Sequence, residues 1–263
     1  MFSTVTRKVR AAYRLLRNKG IGEFTELVYS MLRLKTEIYA RGRNRIVSLD
    51  GCSFELRGIP DTRMKLELLT GGYEEPERSA ARRYIRREWP VVELGGCIGV
   101  VACVTNKLLQ RAEAHVVLEA NPLAIPHLKS NRDANGCAFK IMNRALAYDA
   151  DSVTFSPSLD FWGNSLLHDE SRESSVTVPA TQLCWILREE QFEKYALICD
   201  IEGLEYELVM REPDALRNAE LVIMEVHPHI LGEEKVQTVL SRLADLGFKT
   251  IERSALVFVF SKA

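Results

Sequence analysis

No run in this 263-residue chain approaches the ~18 consecutive apolar residues of a membrane-spanning helix, so none is expected. Cysteine is sparse and scattered, with six residues at 52, 97, 103, 137, 184 and 199. None belongs to a Cys-x-x-Cys pair and several sit in apolar runs. That argues against disulfides and against a zinc site, and for the buried, reduced thiols of a cytoplasmic protein. The first residues also lack the apolar core of a signal peptide, in line with that expectation. Two phosphate-binding signatures are missing. Gly95 is followed two residues on by Cys97, so the dinucleotide fingerprint Gly-x-Gly-x-x-Gly fails, and no Gly-x-x-x-x-Gly-Lys-Ser/Thr occurs. No internal repeat or low-complexity tract is visible.

What is present is an ordinary globular composition, 46% hydrophobic and 27% charged, long enough for one large α/β domain with an appendage. The formal net charge of −1 hides an asymmetry. Residues 1–45 hold 11 Lys and Arg against three Glu, a net of +8; the remainder, with 24 basic and 33 acidic residues, carries −9. Val5, Val9, Ala12, Leu15 and Leu16 recur at helical spacing within that basic arm. Such an amphipathic arm can dock on its own acidic domain or make peripheral contact with the inner face of a membrane.

The stretch Val91-Val-Glu-Leu-Gly-Gly-Cys-Ile-Gly99 carries the most information. A short apolar run holding an acid meets a glycine-rich turn, and a helix-like segment follows. A second run, His115 to Leu118, ends in Glu119 with Pro122 beyond. Two strands joined by a helix place both acids, Glu93 and Glu119, at the sheet edge where open α/β sheets bind ligands. Without a phosphate cradle, the pattern suits a ligand with hydroxyls and a positive charge, and S-adenosylmethionine is such a ligand. Glu119 would accept its ribose hydroxyls. Gly95 and Gly96, lacking Cβ atoms, would let its methionine part approach. The amides opening the next helix, after Gly99, would take its carboxylate.

Along the chain, residues 1–45 read as a basic helical arm with helices near 4–18 and 22–40. Residues 46–88 read as a β-hairpin about Asp50-Gly51 followed by a helical lead-in broken at Gly71-Gly72. Residues 89–263 read as a single domain. Strands are expected near 91–94, 115–119, 138–142, 195–200, 219–226, 248–252 and 255–260, and helices near 99–110, 123–134, 180–191, 204–211 and 233–246. This alternation implies a mostly parallel seven-stranded sheet with helices on both faces. The two-residue link before the last run forces an antiparallel C-terminal strand.

Four motifs resemble the FkbM-type family of S-adenosylmethionine-dependent methyltransferases, over about residues 70–261. They are Glu93-Leu-Gly-Gly-Cys-Ile-Gly99; Leu118-Glu-Ala-Asn-Pro122 with Asn131 and Asn135-Gly136; Asn143-Arg-Ala-Leu146; and Cys199-Asp-Ile-Glu-Gly-Leu-Glu205, the most specific. Met224-Glu-Val-His227 is similar to the end of the family's last parallel strand. Glu93 stands where the family has Asp, and Gly96-Cys97 where it has Ala-Asn. The resemblance implies a Rossmann-like class I methyltransferase fold and S-adenosylmethionine as cofactor. It adds Ala120, Asn143 and Ala145 to the cofactor residues, and Glu74, beside Tyr73, as part of a lid.

Methyl transfer to a hydroxyl needs alignment of two reacting centres and a base for the released proton. Asp200 and Glu202 follow one apolar strand, and Glu225 and His227 end another. His227, with a free pKa nearest neutrality, is the preferred base, and Asp200 would orient the acceptor or the methionine ammonium. Plainer readings have His227 closing a strand before Pro228 and Asp200 capping the next helix. A magnesium-type ion held by Asp200, Glu225 and His227 is a further alternative, and no metal ligand is assigned. In the segment 155–166, Trp162 would stack on an acceptor ring while Asn164 and Ser165 bind its hydroxyls; the alternative is a packed hairpin with Trp162 as core.

The expected activity is O-methyl transfer to a sugar, glycan or polyhydroxylated metabolite. A non-catalytic cofactor-binding or membrane-tethered module with this fold is the rival. Nucleic acid is disfavoured as partner, because the Asn/Asp-Pro-Pro-Tyr/Phe motif of amino-group methylation is replaced by Asp200-Ile-Glu-Gly. No oligomeric state follows from the sequence.

Overall fold

The computed structural model describes residues 46–59, 61–155 and 175–262. The expected arm helices, and the segment with Trp162, Asn164 and Ser165, lie outside the described residues.

The central sheet forms from continuous apolar runs. In β3 (Val91–Leu94), β4 (His115–Leu118) and β9 (Tyr195–Cys199) every residue is buried, as strands covered on both faces require. With β5 (Lys140–Met142), β10 (Ala219–Glu225), β11 (Phe248–Ser254) and β12 (Val257–Lys262) they build seven strands in the order β11-β12-β10-β9-β3-β4-β5. Neighbours from β5 to β10 pair in parallel, whereas β12 is antiparallel to both β10 and β11. The antiparallel final pair is as expected; its position is new, because β12 inserts between β10 and β11. This is the expected mostly parallel, Rossmann-like sheet of seven strands.

Helices cover both faces. On one side α2 (Glu75–Tyr84) and α3 (Val100–Asn106) bring Ala80, Ala81 and Val101 onto Val91, Ile198 and Ile223. On the other, α5 (Leu183–Glu190), α6 (Glu205–Arg211), α7 (Pro213–Leu216) and α9 (Glu233–Asp245) bring Ile186, Leu208, Leu216 and Val239 onto Val92, Leu197 and Val222. Among the described residues no helix is long and apolar enough to cross a membrane.

The hairpin of β1 (Ile46–Leu49) and β2 (Cys52–Glu55) turns through Asp50 and Gly51, both with positive φ (51° and 82°), as a two-residue turn between right-twisted strands demands. It is fastened to the domain. Asn135, at the end of α4 (Ile125–Ala134), accepts from Ser53 N–H at 2.7 Å and donates to Ser53 C=O at 2.9 Å. Asp50 pairs with Arg82 and with the buried Arg78, whose other nitrogens donate to the carbonyls of Tyr73 and Gly71. Phe54 and Leu56, with Met64 and Leu68 of α1 (Thr62–Thr70), share one core with Ile98, Cys103 and Leu128. The lead-in is thereby packed against the helices that carry the glycine loop.

The reading of 180–191 as helix needs correction. Val176–Thr181 is a strand, β8, and the helix starts only at Leu183. A small sheet, ordered β6-β8-β7, joins it to β6 (Ala145–Leu146) and β7 (Ser152–Phe155). Two- and four-residue strands are too short to show a period.

Candidate functional site

From β3 the chain winds outward through β4 and β5, then returns to lay β9 and β10 on the other side. The connections leaving the carboxyl ends of β3 and β9 therefore run to opposite sides of the sheet, and a crevice opens above the paired strand ends. The glycine loop is set against both neighbours. Gly95 and Gly96 donate to the Leu118 carbonyl at 2.9 and 3.0 Å, and Asp200 N–H donates to the Leu94 carbonyl at 2.9 Å. Gly95 has φ 91°, and a Cβ there would overlap the Asp200 carbonyl oxygen. At Gly96 a Cβ would run into Val117, and at Gly99 into Leu128. The glycines are needed for the protein's own packing. Of the three, only Gly95 lines the cavity.

That cavity, about 580 Å³, is within the size range of small-molecule sites. Glu119, immediately after β4, is buried on its wall. Its carboxylate accepts from Cys97 N–H at 2.7 Å and from Asn121 N–H at 2.6 Å, which fastens the glycine loop to the end of β4. Asn131 locks the same loop from below, donating to the Ile98 carbonyl at 2.8 Å. Ala120, Glu74, Asp200, Glu202, Glu225 and His227 also line the cavity, as the sequence reading placed them.

Besides Gly96 and Gly99, three further assignments do not reach it. Glu93 points into the interior, 3.3 Å from the equally buried His115. Burial raises the pKa of the Glu93 carboxyl well above its ordinary value and lowers that of His115 to about 3. Asn143 donates to the carbonyls of Glu119 and Ala120 at 2.8 and 3.1 Å, shaping the loop from behind. Ala145 is buried in the small sheet. Tyr73, whose hydroxyl donates to Cys97 Sγ at 3.3 Å, is a wall residue as expected beside Glu74. The sequence reading missed Arg63, Glu77 and His229, lining residues outside its motifs, and gave no role to Arg144, which lies inside the third. It quoted Glu205 without assigning it a role.

His227 is nearly fully buried. Its Nδ1 lies 2.7 Å from Oε1 of the fully buried Glu205, while Nε2 faces Asp200 Oδ1 at 3.4 Å and Glu202 Oε2 at 3.5 Å. Burial by itself would lower the His227 pKa. The hydrogen bond and charge of Glu205, then the charges of Asp200 and Glu202, outweigh burial and carry it up to about 9. The neutral base expected from the sequence is thus an imidazolium at neutral pH. Around it, burial pushes carboxyls upward: Glu119 to about 7, moderated by its two backbone hydrogen bonds, and Glu77, hydrogen-bonded to Glu225, to about 8.

Raised pKa values give the ligand-free protein a defined pH response. Stability from Glu119 and Glu77 is complete below the ordinary carboxylate range and is lost as pH rises through about 7 and 8. His227 acts in the same sense, losing its contribution as pH rises through about 9. His115, lowered by burial, opposes this only below its ordinary value of 6.5. Acidification from about pH 8.5 to 6.5 is therefore expected to stabilise the protein by on the order of 2 kcal/mol, or about 4–8 °C in melting temperature. A melting temperature that stays flat or falls over that window would refute this account of the cavity acids.

No protein-family model and no curated protein matches this chain. Solved structures similar to it include the ribosomal protein L11 methylase of Lactobacillus delbrueckii subsp. bulgaricus, at 12% identity over 73% of this chain and 80% of that one, with a TM-score of 0.43. Precorrin-6y C5,15-methyltransferase of Geobacter metallireducens GS-15 aligns at 11% identity over 73% of this chain and 89% of that one, with a TM-score of 0.42. M. jannaschii TYW2 in complex with AdoMet aligns at 14% identity over 84% and 87%, with a TM-score of 0.42.

Proposed function

We propose that this protein is a cytoplasmic S-adenosylmethionine-dependent methyltransferase that forms an O-methyl ether on a hydroxyl of a sugar, glycan or other polyhydroxylated metabolite. One observation supports the reading above the others: the buried Glu119 carboxylate at the end of β4, facing a cavity that opens where the strand order reverses. Each Glu119 oxygen already takes one backbone N–H and keeps a lone pair for a ribose hydroxyl.

When bound, the cofactor supplies an electrophilic methyl group on a sulfonium. The residues on the far side of the cavity hold the acceptor. In the ion-free site His227 keeps its proton at neutral pH, and the acceptor's hydroxyl proton passes to one of the carboxylates that His227 faces, Asp200 or Glu202. His227 steadies the charge on that pair. Arg63 and Arg144 are the cationic wall residues.

Calorimetric titration of the full chain with S-adenosylmethionine, with NAD as control, tests the reading. Binding of the first alone is expected, followed by transfer of labelled methyl to a glycan and polyol pool but not to nucleic acid. Absence of binding, or binding without transfer to that pool, would overturn the proposal in favour of a non-catalytic module.

A further inference from the structure

We propose that Asp200, Glu202 and His227 bind a divalent cation through two carboxylate oxygens and one imidazole nitrogen. Their donor atoms come from two strand ends and the loop that follows β9, and all lie within 4.8 Å of one another. In a six-coordinate site with bonds of ~2.1 Å, donors at right angles stand about 3.0 Å apart. The 3.4 and 3.5 Å separations from His227 Nε2 come within a few tenths of an ångström of that figure.

Two further observations point to a ligand. Asp200 Oδ1 is shut off from solvent yet has no hydrogen-bond partner. A buried acceptor in that state costs free energy unless something else occupies it. Nε2, on a ring that is only 4% exposed, is aimed between the two carboxylates without hydrogen-bonding to either. What aims it is Glu205, 0% exposed, which holds Nδ1 at 2.7 Å. A buried carboxylate on one imidazole nitrogen, with the other presented to an open space lined by oxygens, is the arrangement that orients histidine toward metals. The cation takes the place of the proton on Nε2.

The donor set differs from the one the sequence suggested. Glu225 is engaged with Glu77, and Glu202 takes its place. An imidazole among the donors shifts preference from magnesium toward manganese and its neighbours. Three protein donors leave the other positions of a six-coordinate ion to oxygens entering from the cavity. An acceptor presenting two adjacent oxygens, such as a vicinal diol, fits them; this last step rests on the methyltransferase reading.

The test is titration of the chelator-stripped full chain with Mn²⁺, followed by the loss of its free paramagnetic signal, alongside calorimetry with S-adenosylmethionine. One Mn²⁺ per chain is expected, with affinity at least tenfold weaker in Asp200→Asn and in the more exposed Glu202→Gln. Thermal unfolding confirms that each variant is folded. No binding at millimolar Mn²⁺, or binding unchanged in both variants, would overturn the site. Mn²⁺ binding without cofactor binding would leave the site standing and sink the methyltransferase reading; cofactor binding without Mn²⁺ would do the reverse.

Discussion

Replacing Glu119 by alanine is expected to weaken S-adenosylmethionine binding by at least ~100-fold while leaving the chain folded. Two charge-assisted hydrogen bonds to a ribose diol are worth roughly 1.5–3 kcal/mol each, and 100-fold corresponds to only about 2.8 kcal/mol. The same substitution removes the acceptor for Cys97 and Asn121 N–H, so the glycine loop loses its fastening to the end of β4. Glu119→Gln should fall between the two, since its amide keeps one acceptor oxygen but turns an N–H toward a backbone donor. Calorimetry on both variants, with circular dichroism for the fold, measures this directly. Normal affinity in Glu119→Ala would sink the ribose role.

Gly95→Ala is expected to cost at least ~2 kcal/mol of stability, and cofactor affinity with it. Two penalties add at this position. A non-glycine residue at φ 91° is strained, at roughly 1–3 kcal/mol. The new methyl would also occupy the space of the Asp200 carbonyl oxygen, so β3 and β9 must part, at a further 1–3 kcal/mol or so. Gly247→Ala separates the two terms. Gly247 has nearly the same φ, 89°, but nothing lies within 4 Å of the added Cβ. Its cost should be limited to backbone strain. Thermal unfolding of both variants decides the matter: equal losses would mean that the approach of Asp200 to the glycine loop does not constrain this position.

Much of the fold was legible because its signals are local. The mainly apolar runs at 91–94, 115–118 and 195–199 are long enough to mark buried parallel strands, and Asp50-Gly51 specifies its turn by backbone preference alone. β6 and β7 were not legible, since their two and four residues pair with β8 across the chain and leave no period of their own. The site was legible in part. Glu119, Asp200, Glu202 and His227 were placed by their position after apolar runs, and all four face the cavity. Glu93 was misplaced by the same rule. It precedes Leu94 within β3, and strand alternation turns its side chain toward His115 instead of the crevice.

By itself, the sequence determined the chain order of the seven central strands and the helices between them, the turns at glycine, and the placing of Glu119, Asp200, Glu202 and His227 at the carboxyl edge of the sheet. These depend on hydrophobic period and backbone freedom, which act over a few residues. Only the tertiary structure decided the state of the site. His227 holds its proton because Glu205, 22 residues earlier in the chain, meets its buried Nδ1. The loop at 95–99 needs its glycines because Asp200, Val117 and Leu128 fill the space of each missing Cβ. Glu202 rather than Glu225 joins the cation cluster because the loop after β9 brings its carboxylate within 4.8 Å of the Asp200 and His227 donor atoms. Charge and packing of this kind act through contact in space, between residues whose separation along the chain carries no trace of it.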